Sequence, residues 1–167
     1  LRKGGSVVQI HSVGVSQDRF KPDKKLGEKK RISLDVPSDA FHIVTAAELN
    51  ANKNQRVIIE AIAQLSNENI YYSICGKGIN EKELKMLIEK RHLEKQVRLL
   101  GYRTDMEEIL QCADCFAFPS HREGLGIAAI EALLCGVPLI AADNRGTREY
   151  AINGGNSIVC KSNCVED

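Results

Sequence analysis

From Phe41 onward the chain alternates short apolar, β-forming runs with stretches whose apolar residues recur at helical spacing. This alternation restricts the fold more than any other feature of the sequence. Strands are predicted at Phe41–Ala46, Ile70–Cys75, 97–100, Cys115–Phe118, Leu139–Ala142 and 157–159. Helices are predicted at Gln55–Leu65, 81–91, 106–112 and 126–134, with a short one near 147–150. Strands separated by helices of this length argue for right-handed βαβ units and a parallel sheet covered on both faces. The expected fold is an α/β, doubly wound, Rossmann-like domain. Such sheets bind ligands beyond the carboxyl ends of their strands. The segments after Ala46, Cys75, Leu100, Phe118 and Ala142 should therefore line one cleft.

The part before Phe41 differs. Residues 21–31 are polar and dominated by lysine, and they read as a solvated linker or surface turn; residues 7–15 suggest an extra strand. The organisation expected is an N-terminal segment over 1–40 leading into a binding domain over 41–167. At 167 residues the chain suits one domain with a substantial core. It begins at Leu1 and stops soon after a strand-like segment, as an excised domain of a longer protein would.

With 23 basic and 22 acidic residues, charge favours neither nucleic acid nor an anionic membrane as the main partner. No apolar run approaches the roughly 20 residues that span a bilayer, and residues 1–15 lack a secretory pattern. Cytoplasmic placement follows. Six cysteines include a C-x2-C pair, Cys112 and Cys115, and a C-x3-C pair, Cys160 and Cys164. Structural zinc needs four converging ligands. Cys112 is expected to end a helix and Cys115 to start a buried strand, so their thiols should diverge. Free thiols in a reducing compartment, and no metal, are the expectation.

The chemistry concentrates in residues 119–131, PSHREGLGIAAIE. Gly124 and Gly126 allow a ligand close to the backbone. The helix that follows points unpaired N–H groups and its positive end at that spot, which suits a phosphate. Glu123 and Glu131 lie eight residues apart, about two helical turns, and could reach one ligand at two points. Taken singly, a Gly-x-Gly before a helix is often only a tight turn, and Glu131 could be a solvated helix residue. The context of strand end, glycine loop and helix start favours a site.

Residues 123–131 (EGLGIAAIE) followed by 132–138 (ALLCGVP) resemble the E-x7-E signature of the retaining GT-B glycosyltransferases of family 4, the glycosyl transferases group 1. Other stretches agree in order: Asn52-Lys53-Asn54 with the family's basic loop, 74–78 (ICGKG) with its glycine-rich strand end, 97–105 (VRLLGYRTD) with its base-binding loop, and 113–120 (ADCFAFPS) with its donor strand. The resemblance runs over about residues 13–159. It implies the C-terminal, donor-binding half of a two-domain enzyme whose N-terminal acceptor domain is absent from this sequence. The substrate would be a nucleotide diphosphate sugar, UDP-linked for preference, with a polysaccharide or glycolipid as acceptor. No cofactor or metal is implied, and any membrane contact would come through the missing domain, on the inner face of the membrane.

Carried onto matching positions, the resemblance makes Lys53 the cation that stabilises the departing diphosphate and places Glu123 beside the anomeric carbon. The backbone of Gly124, Leu125, Gly126 and Ile127 would hold sugar hydroxyls or phosphate oxygens. Glu131 would accept from the ribose. Gly101, Tyr102 and Arg103 would line the base pocket. One departure stands out: Ala47 and Glu48 occupy positions where many relatives carry Gly-Arg. A carboxylate there repels a diphosphate unless turned away or paired, leaving the charge to Lys53 with help from Arg103 or Arg122. A non-catalytic nucleotide-sugar-binding module, and a GT-B-like nucleotide-sugar epimerase, are the alternatives. The isolated domain should bind without turning over. His121 stands beside the donor loop and could touch the sugar or simply be exposed, while His11, His42 and His92 read as strand or surface residues.

Overall fold

A computed structural model describes residues 14–167. The strand expected over 7–15 falls largely outside these residues, as does His11. The elements in chain order are α1 (Lys24–Ser33), β1 (Phe41–Ala46), α2 (Gln55–Leu65), β2 (Ile70–Cys75), α3 (Glu81–Lys90), β3 (Val97–Gly101), α4 (Met106–Gln111), β4 (Cys115–Phe118), α5 (Ile127–Leu134), β5 (Leu139–Ala142), a 3-10 turn (Thr147–Glu149) and β6 (Ser157–Cys160). From β1 onward they coincide with the predicted elements to within a residue or two.

The strands form one sheet in the order β3-β2-β1-β4-β5-β6, every pairing parallel. Alternate side chains of each strand enter opposite layers. Val44, Phe116, Phe118, Leu139 and Ala141 pack with Ile109 and Leu110 of α4 and Ala129 and Ala132 of α5. Ile43, Tyr72, Ile74, Cys115 and Ala117 pack with Ile59 and Ile62 of α2 and Leu84, Leu87 and Ile88 of α3. The fold is the expected doubly wound α/β sheet. Cys112 lies in the first layer and Cys115 in the second, so the C-x2-C thiols are split by the sheet.

The lysine-rich segment corrects the sequence expectation. Residues 21–31 are not a solvated linker; most of them form α1, which docks on α4. Asp23 caps the helix by accepting from the Leu26 amide at 3.0 Å. Lys30 bonds Asp105 and reaches Glu108 at 2.8 Å, while Arg31 reaches Asp114 at 3.2 Å. The point of closest approach is Gly27, buried against the Gln111 carbonyl so tightly that a Cβ would overlap the oxygen. Flanking Phe20, Leu34, Val36 and Ala40 are buried in the same core. No apolar stripe marks α1 because its contact is made by a glycine and by lysine and arginine heads that find carboxylates.

His42, on β1, is fully buried. A carbonyl can only accept, so Nδ1 donates to Cys112 O at 2.9 Å, and Nε2 accepts from the Ser73 hydroxyl at 2.9 Å. Burial, with Arg31 and Arg98 nearby, holds its pKa below the usual 6.5 against the opposing pull of Cys112 O and Asp114.

Two outcomes follow for urea unfolding. Gly27→Ala should lower stability by about 1–3 kcal/mol, because overpacking against a backbone carbonyl outweighs the ~1 kcal/mol gain in helix propensity. An unchanged midpoint would mean that α1 docks differently. Because folded His42 stays neutral, the unfolded chain takes up the proton first as pH falls below about 6.5. Stability should thus be full above that pH and decline as the pH falls below it. His42→Asn should flatten that decline.

Candidate donor site

The winding direction of the sheet reverses between β1 and β4. The chain leaves β1 toward α2 on one face and leaves β4 toward α5 on the other, so their loops part and open a crevice. Asn52 ties the two loops together. Its side chain donates to Arg122 O at 3.0 Å and accepts from the Arg122 amide at 3.1 Å, while its own carbonyl takes the His121 amide at 2.8 Å. The next residue, Lys53, extends across the crevice. Its Nζ stands 2.5 Å from Glu123 Oε1 and 5.7 Å above the Phe118 ring. The Glu123 side chain is 9% exposed and that of Lys53 22%, so the pair is shielded from water on most sides.

Gly126 is the N-cap of α5, with φ of 80° and no side-chain cap bond. The first amides of the helix are thus left to an outside acceptor. Only glycine fits there, since a Cβ would stand 2.6 Å from Tyr150 Oη and 2.7 Å from the Phe118 ring. A polar knot behind the loop sets its path. Asn144 donates to Ser120 O at 2.9 Å, and its Oδ1 accepts from the amides of Gly146 (3.0 Å) and Thr147 (3.1 Å). Gly146 then lies directly on the Glu123 backbone, where a Cβ would meet the carbonyl oxygen at 2.7 Å. Sequence reasoning placed Asn52 in the basic loop without its clamp, and it missed Asn144, Thr147 and Tyr150. Only the strand-end position of residues 143–150 pointed to them.

Tyr102 and Arg103 border a neighbouring cleft of about 630 Å³, together with Ala47, Glu48 and Lys77, while Gly101 ends β3 just before them and does not line it. Tyr102 is 73% exposed and free to stack. Arg103 is committed elsewhere, bonding Asp105 through Nε (2.8 Å) and Nη2 (2.6 Å). Those bonds, with Lys30 behind them, hold the Asp105 carboxyl far below its usual range despite partial burial. Glu48 is exposed and has no ion-pair partner among the described residues. Arg122 is exposed, and His121 is half-buried.

Glu131 is half-buried on α5. Burial raises its pKa and Glu107 adds to this, while Arg19 opposes it. Its carboxylate accepts no hydrogen bond among the described residues. The structure therefore brings Lys53, Glu123 and the Gly124–Ile127 backbone together, sets Tyr102 and Arg103 in the adjoining cleft, and leaves Glu131 apart from the Lys53–Glu123 contact. A separate groove of about 460 Å³ runs along α2 between Ile58, Leu65, Ile140 and Ile158, on the opposite side of the sheet from α5.

If Asn52 is the clamp, Asn52→Ala should speed hydrogen exchange at the Arg122 amide by about tenfold, since each lost bond is worth about 1 kcal/mol. Amides within β1 should stay protected. Equal exchange at Arg122 would show that the loop is held by something else.

The family described as "Glycosyl transferases group 1" matches residues 27–167. The chain is 36% identical over 163 residues to EpsD of Bacillus subtilis (strain 168), whose name marks it as a candidate glycosyltransferase; the match covers 96% of this chain and 43% of that protein. It is 30% identical over 151 residues to the UDP-Gal:alpha-D-GlcNAc-diphosphoundecaprenol alpha-1,3-galactosyltransferase of Escherichia coli, covering 87% and 37%. Anabaena HepE, solved in complex with UDP and glucose, superposes with a TM-score of 0.85 at 27% identity, over 91% of this chain and 42% of that one. The chain spans less than half the length of these relatives, and its sheet is that of a domain-sized piece of a GT-B glycosyltransferase. It belongs to the group 1 glycosyltransferase family.

Proposed function

We propose that this chain is the C-terminal, donor-binding half of a retaining, family 4 glycosyltransferase that takes its sugar from a nucleotide diphosphate sugar, UDP-linked. The observation that carries this reading is the Lys53–Glu123 pair, set across the β1/β4 crevice in front of the uncapped start of α5. An ammonium and a set of free amides converge where a diphosphate would lie, and a carboxylate stands beside them. The names of relatives support the donor class: one acts from UDP-Gal, and another was solved with UDP and glucose. The diphosphoundecaprenol in the first name supports a lipid-linked acceptor.

In this reading the diphosphate draws Lys53 away from Glu123 and lies against the amides of Gly124, Leu125, Gly126 and Ile127. Glu123 turns to the sugar. The base enters the cleft at Tyr102 and Arg103, and Glu131 accepts from the ribose. The bond from the anomeric carbon to the β-phosphate oxygen breaks, and the acceptor hydroxyl forms its bond on the same face. Its proton leaves to the departing nucleoside diphosphate. Lys53 and the α5 dipole stabilise the charge that builds on that leaving group, a role that needs no metal. Glu48 and Glu123 bring negative charge to the site, so Lys53 is the decisive cation.

The acceptor would sit on a second domain, and this chain alone would bind without turnover. Among the described residues no helix is long and apolar enough to cross a membrane. We place the protein in the cytoplasm, peripheral to the membrane that carries its acceptor.

Calorimetric titration with UDP, UDP-glucose, UDP-GlcNAc and GDP-mannose tests the proposal. Saturable binding of a UDP sugar is expected, and no binding to any of the four would refute it. Lys53→Ala should weaken UDP by about tenfold or more, as a lost charge-assisted bond is worth about 1.5–3 kcal/mol. An unchanged affinity would remove Lys53 from the site.

A further inference from the structure

Among the described residues, a single buried side-chain polar atom has no hydrogen-bond partner, the hydroxyl of Tyr150. Buried hydroxyls are ordinarily paired, and phenylalanine would fill the same space without the penalty. The position of this one is informative. Tyr150 ends the 3-10 turn whose Gly146 rests on the Glu123 backbone, and its oxygen faces the first turn of α5, with Gly126 and Phe118 as neighbours. The Phe118 ring is the one beneath the Lys53 ammonium. Burial pushes the phenol pKa up to about 12, with a further push from the charge of Glu123. The hydroxyl thus keeps its proton at neutral pH and is a buried donor with nothing to donate to, at the end of the turn that rests on the Glu123 backbone.

Glu123 supplies the complementary half. Its carboxylate is nine-tenths buried and its charge is met by Lys53. A diphosphate that takes Lys53 leaves that carboxylate buried and unpaired, which is among the most costly arrangements a site can adopt. A neutral donor at hand would relieve it.

We propose that Tyr150 is a positioning residue of the donor site, whose hydroxyl takes over Glu123 when the donor diphosphate draws Lys53 away. This rests on the nucleotide-sugar reading above. In the ligand-free state the Lys53–Glu123 pair is closed and the phenol idle. In the bound state Lys53 serves the diphosphate and Tyr150 holds Glu123 toward the sugar. One occupancy of the crevice exchanges for the other, and the cost of opening the ion pair is partly recovered by the new hydrogen bond.

The test is a double-mutant cycle on UDP affinity in the intact protein, using Tyr150→Phe, Lys53→Ala and both together, with urea midpoints measured without ligand. Tyr150→Phe should leave the midpoint unchanged or raised, since no bond is lost, and should weaken UDP about tenfold. In the Lys53→Ala background Glu123 already rests on Tyr150 before ligand arrives, so adding Tyr150→Phe should change affinity by less than about twofold. A purely structural tyrosine would instead lower the midpoint and weaken UDP equally in both backgrounds. That result overturns the proposal, as does a Tyr150→Phe protein that binds UDP like the parent. A parent protein that binds no nucleotide overturns the donor-site reading itself, and this inference with it.

Discussion

The parallel sheet can bury both faces only if its connections cross to both sides, and the crossing side changes between β1 and β4. Everything at the candidate site depends on that reversal. The neighbours β1 and β2 send α2 and α3 to the same face, unlike β1 and β4. Between β1 and β4 the connections separate, and the gap is held by few bonds: a two-residue register between Ile43–Val44 and Cys115–Phe116, and the Thr45 hydroxyl, which donates to Ala117 O at 2.8 Å. Since that proton is committed, the buried Tyr72 hydroxyl donates to Thr45 in turn, at 2.8 Å. The chain of bonds runs laterally through β2, β1 and β4 and fixes the floor of the crevice.

On that floor the electrostatics are local. The near balance of total charge says nothing about the site, which sets the Lys53 ammonium 2.5 Å from the Glu123 carboxylate, largely removed from water. Such a pair contributes little net stability because desolvation offsets attraction. Its value is positional: it holds Lys53 extended over Phe118. In the function proposed above, the donor competes with Glu123 for Lys53, and the free amides at Gly126 and the flanking loop supply the difference.

The helix α1 reaches the same region from behind. Lys30 anchors Asp105, and Asp105 grips Arg103 through two bonds, so the guanidinium beside the cleft at Tyr102 is oriented from the far side of the sheet edge. Arg103 is thereby a fixed wall of that cleft instead of a free phosphate ligand. This leaves Glu48 without an ion-pair partner among the described residues, which in the proposed function concentrates the burden of positive charge on Lys53 and the α5 amides.

The sequence by itself determined the elements from β1 onward, because apolar runs of strand length and helical periodicity are local signals that tertiary packing did not override. It also pointed to Glu123, Glu131 and the glycines between Glu123 and Ile127, since strand ends and helix starts are where a parallel sheet presents backbone amides, while Lys53 entered only through the resemblance to the family. Three things were decided only in the tertiary structure. The strand order, and with it the location of the crevice, depends on which crossovers go to which face, and no local pattern encodes that. The α1 helix was hidden because a glycine makes its close contact and charged heads make the rest, so it carries no apolar stripe. The partners of the loop, Asn52, Asn144 and Tyr150, act through contacts spanning 24 to 70 residues or through a packed ring against Gly126. Such contacts exist only once the sheet has brought distant segments to one edge, which is why a reading along the chain could find the loop but not what holds it.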